Sequence, residues 1–298
     1  MAKQEKIGFK EFQKRFSSED ACEKYLFQLR WANGFVCPKC GCIEYYYLKT
    51  RKKYQCKACR RQTSVTAGTI MDRSHLELTT WFLAMYLVSR DKRGYSALQL
   101  STELELPYNT AWFLLHRIRK AMTSRDENYM LSGIVEMDDT YFGKKHTGGK
   151  RGRGTNKIKV MVGLSKSADG KPQFVKMQVV SNLKSKTIGG FASKSIKVGS
   201  TVQSDAYHSY RKPLKDKYFH QYEVFDADSE MLRWLHIVIG NAKSFVMGTF
   251  HGLGSKHIQC YLDEFCYRFN RRNFHSEIFA RLLSASVASS PLRFADLT

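Results

Sequence analysis

Two groups of residues in this sequence have the types and spacing to do chemistry. Four of the eight cysteines fall as Cys37-Pro-Lys-Cys40 and Cys56-Lys-Ala-Cys59, with fifteen residues between the pairs. Each C-x2-C knuckle lets two thiolates face one ion, and two knuckles complete a tetrahedron with no open position, so the spacing predicts a structural zinc site. The same closure argues against a zinc-dependent hydrolase. Free thiols or a disulfide framework are the alternatives, and a reducing compartment disfavours the second. Cys42 could exchange with Cys40, although pair symmetry favours Cys40; Cys22, Cys260 and Cys266 have no partners at ligand spacing and read as buried thiols. The second group is Asp138 and Asp205. Two carboxylates brought together from separate strands can share divalent ions and position water or a hydroxyl for in-line attack on a phosphodiester. Acidic residues at strand ends are also ordinary turn formers and caps, so spacing alone leaves both readings open.

The elements that must position these residues are legible in outline. Ile43–Leu48 and Lys53–Gln55 read as short Tyr-rich strands of a zinc ribbon too small to fold without metal. Helical periodicity marks Leu78–Ser89, Ser96–Glu105 and, after the break at Pro107-Tyr108-Asn109, Thr110–Thr123. The last two segments read as a helix-turn-helix whose second helix offers Asn109, Thr110, His116, Arg117, Arg119 and Lys120 to DNA; an ordinary helical hairpin fits the same pattern. From Gly133 strands take over: Ile134–Met137, Lys157–Leu164, Phe174–Val180 and Thr201–Gln203, with helices over about Ser185–Ala192, Ser229–Val246 and Lys256–Arg271. Strands and helices in this order make an α/β plan with acidic residues at strand ends.

Composition narrows the partners. The chain of 298 residues has 49 Lys and Arg against 27 Asp and Glu, a formal net charge of +22, and is 43% hydrophobic. A surface this positive suits a polyanion, with nucleic acid ahead of an anionic membrane. The most apolar stretch, Trp81–Val88, is far short of a membrane span. The N-terminus has no apolar h-region, so a cytoplasmic protein is expected. The segment Gly143–Lys159 sets Lys144, Lys145, Lys150, Arg151, Arg153, Lys157 and Lys159 among five glycines. It reads either as a cationic loop closing over DNA or as a solvated hairpin, and no phosphate-cradling P-loop pattern occurs.

The four cysteines, the run Glu136-Met137-Asp138-Asp139-Thr140-Tyr141-Phe142-Gly143, Ser204-Asp205-Ala206-Tyr207 and the stretch Leu235–Gly252 together resemble one family. It is the bacterial insertion-sequence transposases that carry an N-terminal zinc ribbon before a DDE-type, RNase H-like catalytic domain. The resemblance extends from about Phe12 to about Arg272. It implies that Asp138 and Asp205 are metal-binding aspartates of the active site. Relatives commonly place Glu or Asn at the third position with Lys seven residues later; counting back from Lys243 lands on His236. His236 would then be the third ligand of a Mg²⁺ or Mn²⁺ site, His favouring Mn²⁺ over Mg²⁺, with Asn241 and Glu264 as the other candidates. Lys243 would touch the phosphate next to the reacting one. Glu136 and Asp139 would be supporting residues, Asp139 on the opposite strand face.

The domains implied are an N-terminal helix and zinc ribbon over 1–70, a helix-turn-helix region over 71–128 and the catalytic domain over 129–298. The function implied is binding of element ends, metal-dependent strand cleavage, and attack of the freed 3′-hydroxyl on target DNA. A homo-oligomer in a synaptic complex is expected, because two ends must be held together. The competing reading is a DNA-binding protein without catalysis, or a transposase whose site has decayed.

Overall fold

The computed structural model describes residues 6–143, 155–224, 231–251 and 253–297. In chain order the elements are α1 (Phe9–Arg15), α2 (Glu19–Arg30), β1 (Tyr45–Leu48), β2 (Lys53–Cys56), β3 (Gln62–Thr63), α3 (Leu78–Arg90), α4 (Ala97–Glu103), α5 (Tyr108–Asp126), β4 (Ile134–Phe142), β5 (Ile158–Lys166), β6 (Pro172–Val180), α6 (Ser185–Ser195), β7 (Thr201–Asp205), α7 (His208–Leu214), β8 (Phe219–Glu223), α8 (Arg233–Thr249), α9 (Ile258–Phe269) and α10 (Ile278–Ala288). They form two compact units, Met1–Arg125 with Phe274–Thr298, and Asp126–Asn273.

In the first unit, β1, β2 and β3 form an antiparallel sheet. Its stability cannot rest on a core of its own at this size; instead the rings of Phe27, Trp31, Phe35, Tyr45 and Tyr54 pack together against α2. The buried Glu23 carboxylate accepts the hydroxyls of Tyr47 and Tyr54, each at 3.1 Å. Ser18 caps α2 and Ser96 caps α4, each accepting an N–H of the first turn. Phe12, Phe16, Phe82, Tyr86 and Phe279 form a second aromatic cluster joining α1, α3 and α10. The expected boundary at residue 70 therefore runs through one packed unit. The second unit ends at Asn273, and the apolar face of α10 is buried in the first unit with Phe279.

The second unit is a five-stranded sheet of order β6-β5-β4-β7-β8. β5 runs antiparallel to β4 and β6, whereas β4, β7 and β8 are parallel to one another. Three meandering strands followed by two parallel crossovers make the RNase H-like topology that the resemblance implied. Period-two alternation along β4 sends Val135 and Met137 to one core and Phe142 to the other. Leu235, Val238, Ile239, Ala242 and Phe245 of α8 cover one face together with α9. Ile188, Phe191 and Ala192 of α6 and Tyr210 and Leu214 of α7 cover the other. The β6 edge is closed by side chains of α9 and its C-terminal end: Gln259 accepts the Val179 N–H at 2.7 Å, and Asn270 accepts the Val175 N–H at 2.8 Å while donating to the Val175 carbonyl at 3.1 Å.

Candidate functional site

The four predicted zinc ligands come together. Cys37 and Cys40 stand before β1, Cys56 ends β2 and Cys59 lies in the turn after it. Their ligand atoms all lie within 4.8 Å of one another, with Cys37 and Cys59 sulfurs 3.6 Å apart and Cys40 and Cys56 sulfurs 3.5 Å apart. Four thiolates at zinc bond lengths of about 2.3 Å stand about 3.8 Å apart at the corners of a tetrahedron, so this donor set fits zinc closely. Cys42 turns to the Glu44 carbonyl instead. Cys22 and Cys266 are buried thiols as expected, whereas Cys260 is only half-buried.

The carboxylate site lies in the second unit. Asp138 sits in the middle of β4 and shares a face with Glu136 and Phe142, the face covered by α8. β4 and β7 pair in parallel, Glu136 opposite Gln203 being the last pair, and Asp205 ends β7 two residues further on, near enough for its charge to act on Asp138. His236, in the first turn of α8, brings Nε2 to 3.3 Å from Asp138 Oδ2. Burial raises the Asp138 carboxyl above its ordinary range; the His236 contact works against this, and the negative charges of Asp139 and Asp205 add to it. His236 is raised in turn, first by its bond to Asp138. Two carboxylates and an imidazole are donor types that suit a divalent cation, although as placed they do not converge on one point. The Asp205 oxygen does not close to ligand distance with the other two: among the described residues only the four cysteines form a cluster of three or more metal donors. Asp205 Oδ1 accepts the Tyr207 N–H at 3.2 Å.

Lys243 lies two turns along α8 from His236, half-buried, its ammonium pKa lowered by burial and by Lys157 and raised by Asp138. Asp139 points to the other face of β4, as strand periodicity requires. Glu264 is buried and held by Arg268 at 2.7 Å within α9, away from the site. Asn241 is exposed and five residues past His236, off the face that meets Asp138. The sequence reading missed how Glu136 is used. Wholly buried, it pairs with Lys166 of β5 at 2.8 Å and accepts the Leu235 N–H at 2.9 Å in the first turn of α8. Lys166 also donates to Gln203 of β7 at 2.9 Å. One polar bracket thus ties together the three elements that carry Asp138, Asp205 and His236. Period-two spacing places Glu136 on the Asp138 face, but no local signal identifies Lys166 or Gln203.

The DNA-reading surface expected on α5 is corrected. His116, Arg117 and Arg119 are buried at 2%, 7% and 1% exposure. Arg117 donates to the carbonyls of Asp72 and Leu292, and Arg119 to that of Tyr95. These cations are taken up by backbone acceptors inside the first unit and cannot reach a groove; of the expected set, Asn109, Thr110 and Lys120 keep exposed surface. In the basic segment Lys144, Lys145, Lys150, Arg151 and Arg153 lie outside the described residues, while Lys157 and Lys159 are half-buried at the start of β5. No described helix is long and apolar enough to cross a membrane.

Residues 130–270 match the ISXO2-like transposase domain, and residues 17–62 match the transposase zinc-ribbon domain. A protein of the transposable element ISH50 of Halobacterium salinarum is 34% identical over 131 residues, 43% of either chain, so the aligned part is less than half of that relative. Among solved structures, the Mos1 strand transfer complex covers 71% of this chain and 78% of that one at 12% identity and a TM-score of 0.28. The pre-cleavage Mos1 transpososome covers 69% and 78% at 12% identity and a TM-score of 0.25. Likenesses this slight carry no argument.

Proposed function

Because the chain belongs to the transposases in which a zinc ribbon precedes an ISXO2-like transposase domain, we propose that it binds the ends of its insertion sequence and cleaves and joins DNA strands there. The observation that supports this reading is the approach of His236 Nε2 to 3.3 Å from Asp138 Oδ2, with the charge of Asp205 acting on the same carboxyl. Asp138, Asp205 and His236 would hold the catalytic Mg²⁺ or Mn²⁺, and Cys37, Cys40, Cys56 and Cys59 a structural Zn²⁺. Divalent ions supply charge stabilisation to the attacking and leaving oxygens of an in-line displacement. The imidazole donor tilts the preference from Mg²⁺ toward Mn²⁺. Lys243 binds a non-bridging phosphate oxygen of the strand. In the first step water attacks the phosphorus and the strand's 3′-oxygen departs as a hydroxyl. In the second that hydroxyl attacks a target phosphodiester, and no covalent bond to the protein is needed. Two ends held together call for at least a dimer.

A second reading, DNA binding without cleavage, draws on the same contact: a protonated His236 neutralises Asp138 without any ion. The two separate in one experiment. DNA from both flanks of the gene, joined in one substrate, is incubated with the protein and Mg²⁺ or Mn²⁺. Nicking at the element ends is expected for the wild type and at background for Asp138→Ala and Asp205→Ala. Salt-sensitive binding with no nicking in either metal would sink the catalytic reading and leave the second.

A further inference from the structure

A cavity of ≈ 470 Å³ opens inside the first unit, between the turn before α3, the N-terminal half of α5 and the C-terminal segment. Trp81, Leu106, Phe113, Arg117 and Phe294 form much of its wall. We propose that it is a binding site for a small organic carboxylate with an aromatic body. The site lies in a different unit from Asp138 and His236, and the proposal does not depend on the transposase reading.

Arg117 selects the anion. It is 7% exposed, yet it has no carboxylate partner among the described residues. Nε donates to the Leu292 carbonyl at 3.3 Å and Nη2 to the Asp72 carbonyl at 3.0 Å, whereas Nη1 has no acceptor among the described residues. Nη1 is not sealed from solvent either, so its N–H groups face the cavity that Arg117 lines. Burial lowers the Arg117 pKa, and the charge of Asp72 works against this without forming an ion pair. A guanidinium stays protonated at neutral pH, so the first unit holds a buried cation whose desolvation an entering anion would offset. The wall contains no Asp or Glu, and the first turn of α5 adds Asn109 and Thr110 to it, at the helix end whose dipole favours negative charge.

The rings select the body. Arg117 Cζ lies 4.5 Å from the Phe113 ring centroid and 5.9 Å from that of Trp81, and Phe294 meets Phe113 edge-on with centroids 5.4 Å apart. Trp81 donates Nε1 to Ser74 Oγ at 3.0 Å, so its indole needs no further polar partner. An aromatic acid would set its carboxylate on Nη1 and its ring among Trp81, Phe113 and Phe294. The volume falls in the range of small-ligand sites, roughly 300–1,000 Å³. A DNA backbone suits this wall poorly, because its phosphates stay solvated and pair with exposed cations, whereas this cation lies beneath apolar side chains. Arg73 and His75, on the exposed part of the wall, would draw the anion in.

The test is isothermal titration calorimetry of the full-length chain without DNA. The probes are 2-naphthoate, indole-3-acetate and 4-phenylbutyrate, each paired with its neutral primary amide. At least one acid is expected to bind at one site per chain, and its amide roughly tenfold more weakly, the scale of one hydrogen bond to a charged group. Arg117→Gln should bind acid and amide alike, with circular dichroism to verify folding. Because Arg117 also holds the Leu292 and Asp72 carbonyls, Phe294→Ala serves as a second variant. Its ring is 47% exposed, and its loss should weaken acid and amide by the same several-fold factor. Phe219→Ala, which removes an exposed ring of the second unit, should change neither. Failure of all three acids to bind below about 1 mM would overturn the proposal, as would several equivalent sites per chain or equal affinity for acid and amide in the wild type. A preference for the acid that persists in folded Arg117→Gln, or affinity unchanged in Phe294→Ala, overturns it too. So does competitive displacement of the acid by a duplex from the flank of the gene, which would assign the cavity to the DNA backbone.

Discussion

His220 shows how a single half-buried group couples stability to pH. Its Nε2 lies 2.8 Å from Ser204 Oγ, one residue before Asp205, and burial, followed by the nearby Arg211, lowers its pKa from 6.5. Below pH 6.5 the unfolded chain takes up a proton that the folded chain resists, so stability is full above that value and falls as pH drops through it. His220→Gln should flatten the melting-temperature profile between about pH 7 and about pH 5. A slope unchanged by the substitution would assign the pH dependence to other groups. Cysteine chemistry divides in a comparable way. Burial, with Glu19 nearby, pushes the Cys22 thiol up to about 12, so it should resist alkylation in the folded protein. The four clustered cysteines should be protected only while zinc is bound, and mass spectrometry after iodoacetamide treatment with and without chelator reads both outcomes.

At the scale of elements the decisive object is the Glu136, Lys166, Gln203 bracket. It joins β4, β5, β7 and the first turn of α8, the turn that carries His236. Lys166→Met leaves a buried carboxylate without its cation and should cost about 3–5 kcal/mol of unfolding free energy. Adding Glu136→Met should restore much of that stability, since a buried pair replaced by apolar residues of similar volume is often neutral. The double variant should still nick DNA about 10–100-fold more slowly, because α8 has lost the carboxylate that seats its first turn. Full recovery of nicking with stability would make the bracket a stabilising device alone. Gly163 is the corresponding packing constraint on β5. A Cβ there would lie 2.9 Å from Leu131 Cδ1 and 3.5 Å from the Phe191 ring. Gly163→Val should therefore destabilise the second unit by about 1–3 kcal/mol in denaturant titration.

For the molecule as a whole, two units with separate cores and one metal between two knuckles make a specific expectation for zinc removal. The three-stranded ribbon is too small to persist without a tether, so chelation should release amide protection in 45–63. Protection in β4, β5 and β7 should survive, because Val135, Met137, Met161 and Val202 are buried in the second unit's own core. Hydrogen exchange resolves the two regions directly, and simultaneous loss in both would mean that the metal supports more than the ribbon. The net charge of +22 adds a second whole-molecule expectation. DNA affinity should fall linearly in log–log form with salt, by roughly 0.9 in slope for each duplex phosphate neutralised.

Zinc ligation could be read from residue order alone, since Cys37, Cys40, Cys56 and Cys59 are local pairs whose knuckle geometry the short spacing dictates. The strands and helices around Asp138 and Asp205 were also legible, because their apolar periodicity is a property of neighbouring residues. β8 and α7 escaped notice: β8 is a largely polar edge strand, and α7 is a short helix with Pro213 inside it. Only the fold decided which distant groups meet. Leu235 and Glu136 are 99 positions apart and His236 and Asp138 are 98 apart, and no local pattern encodes such a contact. The basic residues of α5 make the same point in reverse. Their charge suggested an exposed DNA-reading face, yet Arg117 and Arg119 found backbone carbonyls inside the first unit. Charge and period belong to the chain, whereas exposure and partnership depend on what packs against it.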